Sequence, residues 1–230
     1  AQHAPLAEAA LRAGKHVVVD KPFTVDLAEA DRLVLLAATA SPVLSVFHNR
    51  RWDGDMLTVA SVIASGRLGR VVHVESHFDR FRPQVGEAWR ELALPGSGVW
   101  FDLGSHLLDQ ALQLFGRPTW LSADLAAMRD GALIDDYFTC TLGYDRLRVV
   151  VHATTLAAEP APRWTVHGTE GTLTIAGLDP QEAAIRDGTM PGGAGWGLGA
   201  PDATLTTSQG RTIIPQLPGD YREYYAQLRD

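Results

Sequence analysis

At 230 residues, 46% of them hydrophobic, the chain is long enough to bury one or two globular cores of ordinary size. Its formal net charge of −7, with Lys and Arg interspersed among Asp and Glu, supplies no basic stripe and argues against nucleic acid or an anionic membrane as partner. No apolar run reaches the roughly 18 residues of a membrane-spanning helix, so a soluble protein is expected.

In chain order, residues 5–13 read as a short helix closed by Gly14, and Lys15-His16-Val17-Val18-Val19 follows as an apolar run of the buried parallel-strand kind. That strand ends at Asp20-Lys21-Pro22. Asp26 caps a second helix carrying Ala30, Leu33, Val34 and Ala37 at helical spacing, and residues 43–47 form another short apolar strand. Helix, strand, helix, strand is a fragment of an α/β parallel sheet. A helix over residues 55–65 ends at Gly66, and Gly69 turns the chain into the next strand.

From Arg70 onward strands come in series, at 71–80, 120–129, 137–144, 147–156, 164–167 and 172–176. Asp145-Arg146 and Gly168-Thr169-Glu170-Gly171 supply tight hairpin connections, so an antiparallel or mixed sheet is expected. One helix, residues 101–115, interrupts the series before Gly116 and Pro118. Residues 188–201 are rich in Gly and Pro and read as a long mobile loop. The single cysteine, Cys140, has no internal partner and is expected in the core, which suits a reducing, cytoplasmic setting. Both ends read as cut. Ala1-Gln2-His3 lacks an initiator Met, which leaves an upstream signal peptide open, and the start of a capped helix at Asp220 and Glu223 runs out after Leu228.

Spacings of four and three put Asp102, His106 and Asp109 on one face of the interrupting helix, opposite a stripe of Leu103, Leu107, Leu108, Leu112 and Phe115. A His and an Asp one turn apart can pass protons near neutral pH, as oxidation of an alcohol or reduction of a carbonyl requires. The alternative is an Asp that caps the helix and a His that packs. The same three side chains suit Zn or Mn, but no further ligands can be assigned, so no metal site is expected. Lys21, at the C-terminal end of a parallel strand, stands where open α/β sheets bind ligands. Its ammonium could polarise a carbonyl or move a proton, and Pro22 fixes the turn and admits a cis bond.

Together these motifs resemble the Gfo/Idh/MocA oxidoreductases. The family's Glu-Lys-Pro at the end of a late Rossmann strand is matched by Val19-Asp20-Lys21-Pro22, and its Gly-rich approach to an Asp-x-x-x-His helix by residues 98–109. The hairpin His167-Gly168-Thr169-Glu170-Gly171-Thr172-Leu173 is similar to one in the family's C-terminal sheet. The resemblance implies an α/β remnant of a Rossmann dinucleotide-binding domain over residues 1–48 and an α+β substrate-binding and oligomerisation domain with a large, mainly antiparallel open sheet over residues 49–230.

It further implies hydride transfer with NAD or NADP on a sugar, polyol or related hydroxyl compound. Lys21 and His106 would be the proton-handling pair, Asp102 their orienting partner and Asp109 a substrate-hydroxyl contact. Asp20, Lys21 and Pro22 would touch the cofactor, with Asp20 one methylene shorter than the usual Glu. The strand 71–80 is implied to lie near the cleft, making His77 and Arg80 candidate substrate contacts; the alternative is a polar side facing solvent or another subunit. A homo-oligomer through the open sheet is expected. The G-x-G-x-x-G fingerprint is not found after a strand, since Gly195 to Ala200 follows none, and the resemblance implies roughly 70 to 90 preceding residues of a Rossmann domain. Two other functions remain open at this level: hydride-assisted glycoside hydrolysis, known in relatives of this family, and a non-catalytic assembly or ligand-binding module.

Overall fold

A computed structural model describes residues 2–40 and 42–229. Helix α1 (His3–Arg12) buries Ala4, Ala7 and Leu11, the i, i+3, i+7 stripe of its sequence. The chain then turns through Gly14 at φ +69°, a left-handed conformation that favours glycine, into β1 (Val17–Val19). Helix α2 (Leu27–Ala40) crosses over to β2 (Leu44–Val46), which pairs parallel to β1 with Val18 opposite Ser45. Val19 and Leu33 join the α1 residues in one small core, with Phe23 and Leu36 packed against it. This is the Rossmann-like α/β fragment.

The rest of the chain builds the second unit. A 3₁₀ turn (Asn49–Trp52) leads into α3 (Gly54–Ala64) and then β3 (Val71–Asp79). After α4 (Ser105–Phe115) come β4 (Trp120–Ala126), β5 (Tyr137–Gly143), β6 (Arg148–Thr154), β7 (Trp164–Gly168) and β8 (Gly171–Ile175). Helix α5 (Gln181–Arg186), β9 (Ala203–Thr207), β10 (Gly210–Ile214) and α6 (Arg222–Arg229) complete it. The strands form one eight-stranded sheet in the order β10-β9-β8-β7-β3-β6-β5-β4. Every neighbouring pair is antiparallel except β3 and β6, the fifth and sixth strands in that order, which run parallel.

One face of this sheet is packed and the other is open. Val74 and Phe78 of β3, Val149 and Val151 of β6 and Phe138 and Cys140 of β5 meet Met56 and Val59 of α3 and Leu107 of α4 in a single core. Each such Leu or Phe contributes roughly 1.5–3 kcal/mol by leaving water. The alternate residues of β3, His73, Glu75, His77 and Asp79, are half-buried on the outer face. Gly168 lets β7 pass close to the α3–β3 connection, because a Cβ there would lie 2.0 Å from the Leu68 carbonyl oxygen. Among the described residues no helix is long and apolar enough to cross a membrane.

Several elements differ from the sequence reading. Strand β4 stops at Ala126 instead of continuing to 129, because Arg129 turns inward and is buried against Asp136 at 2.8 Å, with the Arg82 and Gln84 carbonyls accepting from it as well. Helix α5 and strands β9 and β10 have no counterpart in that reading. β10 has only one residue that is even half-buried, so its pattern carries little alternation. The glycine-rich loop is a loop, but Trp196 within it is only 8% exposed, and Gly197 packs so closely on Gly219 that a Cβ would meet its carbonyl oxygen at 2.0 Å. The helix expected over 101–115 begins as a π turn, Trp100–Gly104, before α4 takes over.

Candidate active site

Lys21 leaves the C-terminal end of β1 on a cis Lys21–Pro22 peptide. The Pro22 carbonyl lies 2.7 Å from the Nδ1 of His3, tying the turn to the start of α1, and Asp20 Oδ1 accepts the Lys21 backbone N–H at 2.8 Å. From there the side chain crosses to the second unit, where its Nζ donates at 2.6 Å to both Asp102 Oδ1 and the Asp102 carbonyl. Two of three ammonium protons are thereby committed and one is left for a ligand.

Asp102 reaches Lys21 because it belongs to the π turn. Its winding departs there from the α-helical count of four, and π turns of this kind often occur at functional sites. Gly98 leads into the turn at φ +89° against Asp135, with no room for a Cβ. Asp102, expected as the orienting partner of both Lys21 and His106, pairs with Lys21 and, at 3.3 Å, with Arg90, and makes no hydrogen bond to His106 among the described residues. Although burial opposes ionisation, these cations hold the Asp102 carboxyl below its ordinary range.

His106, only 5% exposed, has no hydrogen-bond partner on Nδ1. Burial, reinforced by Arg50, Lys21 and His48, holds its imidazole well below the usual value, so it is neutral near pH 7. This sets a pH signature for folding. An unfolded His takes up a proton near pH ~6.5 and folded His106 does not, so the unfolded chain binds more protons below that pH. The stabilisation from His106 is complete above about pH 6.5 and is lost as pH falls through that value toward the folded pKa. The Tm of a His106→Gln variant is expected to vary less between pH ~7.5 and ~5.5 than that of the parent, and an unchanged slope would refute a neutral His106.

Lys21, Asp102, His106, Asp20 and Arg80 line one cleft of about 280 Å³ between the two units, near the lower end of the size of small-ligand sites. Sequence reasoning missed Arg50, Arg82, Arg90, Glu182 and Arg186 at the same cleft. They come from the 3₁₀ turn, the segment after β3 and helix α5, none of which carries a strong period. Six Lys and Arg side chains thus face three carboxylates in a chain of net charge −7. Glu182 is taken by Arg50 and Arg186, Asp102 by Lys21 and Arg90, and Asp20 by the Lys21 backbone. Arg80 and Arg82 remain without a carboxylate partner within 4 Å among the described residues, and burial followed by its neighbour Arg82 lowers the guanidinium pKa of Arg80.

Two predicted substrate contacts lie elsewhere. His77 is not in the cleft lining, because it faces outward on β3, whereas Arg80 follows the end of that strand. Asp109 binds Arg51 through two hydrogen bonds of 2.6 and 2.8 Å and lies 4.0 Å from His48 Nδ1, outside the cleft lining.

Comparison with known proteins agrees with this layout. Residues 1–48 match the model of an oxidoreductase family with an NAD-binding Rossmann fold, and residues 56–174 match the GFO/IDH/MocA C-terminal domain. The chain is 51% identical over 232 residues to YdgJ of Escherichia coli (strain K12), named an uncharacterized oxidoreductase, covering 99% of this chain and 67% of that protein. It is 37% identical over 228 residues to IolW of Bacillus subtilis (strain 168), a scyllo-inositol 2-dehydrogenase (NADP(+)), covering 96% and 64%. The solved Bacillus subtilis protein yvaA superposes with a TM-score of 0.93 at 36% identity, covering 99% and 66%. The chain spans about two thirds of the length of each.

Proposed function

The chain belongs to the Gfo/Idh/MocA oxidoreductases, and from that premise we propose that the full-length protein is an NAD(P)-dependent dehydrogenase or reductase of a sugar, polyol or related hydroxyl compound. The observation that carries this reading is the meeting of Lys21 and His106, from separate units, at one cleft with Asp102 clamped on Lys21. Support for the substrate class comes from IolW, whose named substrate is a cyclic polyol.

The residues at the end of β1 suit the nicotinamide end of a dinucleotide. Lys21 keeps one free N–H, and the exposed Asp20 carboxylate can accept from a ribose hydroxyl. When bound, the nicotinamide supplies the hydride acceptor or donor. His106, neutral and cleft-lining, accepts the proton of a substrate hydroxyl. The Lys21 ammonium stabilises negative charge developing on that oxygen, protonated His106 returns the proton to it in the reductive direction, and Asp102 keeps the ammonium aimed. A second copy of the chain on the open outer face of the sheet is part of this reading, and a monomeric mass in solution would count against it.

Arg80 and Arg82 add a preference within the class. Guanidiniums without carboxylate partners at a cleft favour a hydroxyl compound that also bears a carboxylate or phosphate. In the full-length protein with NAD+ or NADP+, reduced cofactor is expected to accumulate with members of a polyol, aldose and sugar-acid panel. Arg80→Gln should raise KM for the acids about 10- to 100-fold, the scale of a lost charge-assisted hydrogen bond, and change it little for neutral polyols. No cofactor reduction with any panel member, together with no binding of either nucleotide, would overturn the oxidoreductase reading. Equal losses on acids and neutral polyols would overturn only the role of Arg80.

A further inference from the structure

We propose that His77, Asp79 and His152 form a binding site for a divalent transition metal of the Zn²⁺ class, on the outer face of the sheet and separate from the cleft. One ligand atom from each lies within 4.8 Å of the others. The backbone fixes their arrangement. His77 and His152 are direct partners in the parallel β3–β6 register, and Asp79, two residues after His77, projects from the same face.

The spacing suits a metal better than mutual hydrogen bonding. Asp79 presents Oδ2 at 3.4 Å from His77 Nδ1 and Oδ1 at 3.5 Å from His152 Nε2. Donors at bond lengths of about 2.0–2.2 Å around a tetrahedral ion stand about 3.4 Å apart, the spacing of His77 Nδ1 from Asp79 Oδ2, while His152 meets the other oxygen of the same carboxylate. Nδ1 of His77 and Oδ1 of Asp79 are buried without a short hydrogen bond, a condition that favours an occupant between them.

Outer contacts fit as well. Glu75 Oε2 lies 3.4 Å from His77 Nε2, on the side of the ring away from Asp79, so a carboxylate can hold the tautomer that leaves Nδ1 free for metal. The Ala161 N–H donates to Asp79 at 3.2 Å and fixes its carboxylate. Two imidazoles and a carboxylate are a suitable donor set for such ions, and three protein ligands leave a fourth position for water. The neighbouring His73 and His167 do not compete, since Glu75 engages the first at 3.0 Å and Thr172 the second at 2.9 Å. Bound metal would cross-link the only parallel strand pair of the eight-stranded sheet.

The test is calorimetric titration of the EDTA-treated protein with ZnCl₂, paired with visible absorption on adding CoCl₂. One ion per chain and the intense Co²⁺ bands of a four- or five-coordinate site are expected. Asp79→Asn and His152→Ala should each weaken binding by at least about 100-fold, while His167→Ala retains it. Asp79→Asn is nearly isosteric and keeps a side-chain oxygen for the Ala161 N–H, so its circular dichroism and Tm separate loss of a ligand from loss of fold. No binding by the parent protein, or binding unchanged in both Asp79→Asn and His152→Ala, overturns the proposal. Neither result bears on the hydride chemistry of the proposed function, because that rests on the cleft residues and the metal site lies on the outer face of the sheet.

Discussion

Lys21→Met in the full-length protein is expected to lower kcat by about 10²- to 10³-fold, the range of a lost donor at a developing oxyanion, with a smaller change in KM. Methionine keeps much of the length and removes the charge. The fold should survive, because Asp102 retains Arg90 at 3.3 Å and the carbonyl relieved of Lys21 lies at the cleft, where water replaces the ammonium. Asp102→Asn should cost less than Lys21→Met, since Lys21 keeps the Asp102 backbone carbonyl as an acceptor at 2.6 Å. A Lys21→Met kcat within tenfold of the parent, measured by cofactor absorbance at saturating substrate, would remove Lys21 from the chemistry.

The parts of this site legible in the sequence are those anchored at the ends of regular elements. Lys21 follows a continuous apolar strand and His106 sits on a helix with a clear stripe, so their placement follows from period alone. Counting by four mispairs Asp102 because it assumes α-helical winding, and the π turn at Trp100–Gly104 breaks that count. His77 is a different case. On the strand expected over 71–80 its odd spacing from Arg80 already puts the two on opposite faces, which argues against a shared cleft. The cationic side of the cleft is illegible in the sequence for a physical reason. Arg50, Arg90 and Glu182 lie in one-turn or two-turn segments whose positions are set by burial and ion pairs made across the chain.

Arg163→Leu is expected to give the largest loss of stability of any substitution considered, about 3–5 kcal/mol, from a total of about 5–15 for a domain of this kind. The guanidinium is fully buried just before β7 and joins elements far apart in sequence. It donates to Gln110 of α4 at 2.6 Å and to Ser76 of β3, lies 3.4 Å from Asp55 of α3, and stacks 4.1 Å from the Phe78 ring centroid. Leucine would leave Asp55 and Gln110 buried without their partner and would forfeit the ring contact, and stranded polar groups cost more than the pair contributes. Because Gln110 in turn donates to the Arg50 carbonyl at 2.7 Å, and Arg50 holds Glu182 at the cleft, the damage should also reach the site. The double replacement Arg163→Leu with Asp55→Leu removes both buried charges and should lose less than the sum of the single changes. Urea unfolding of the three variants measures this coupling. A loss below about 1 kcal/mol for Arg163→Leu, or strict additivity in the double variant, would mean that the α3, β3 and α4 contacts are held by apolar packing alone.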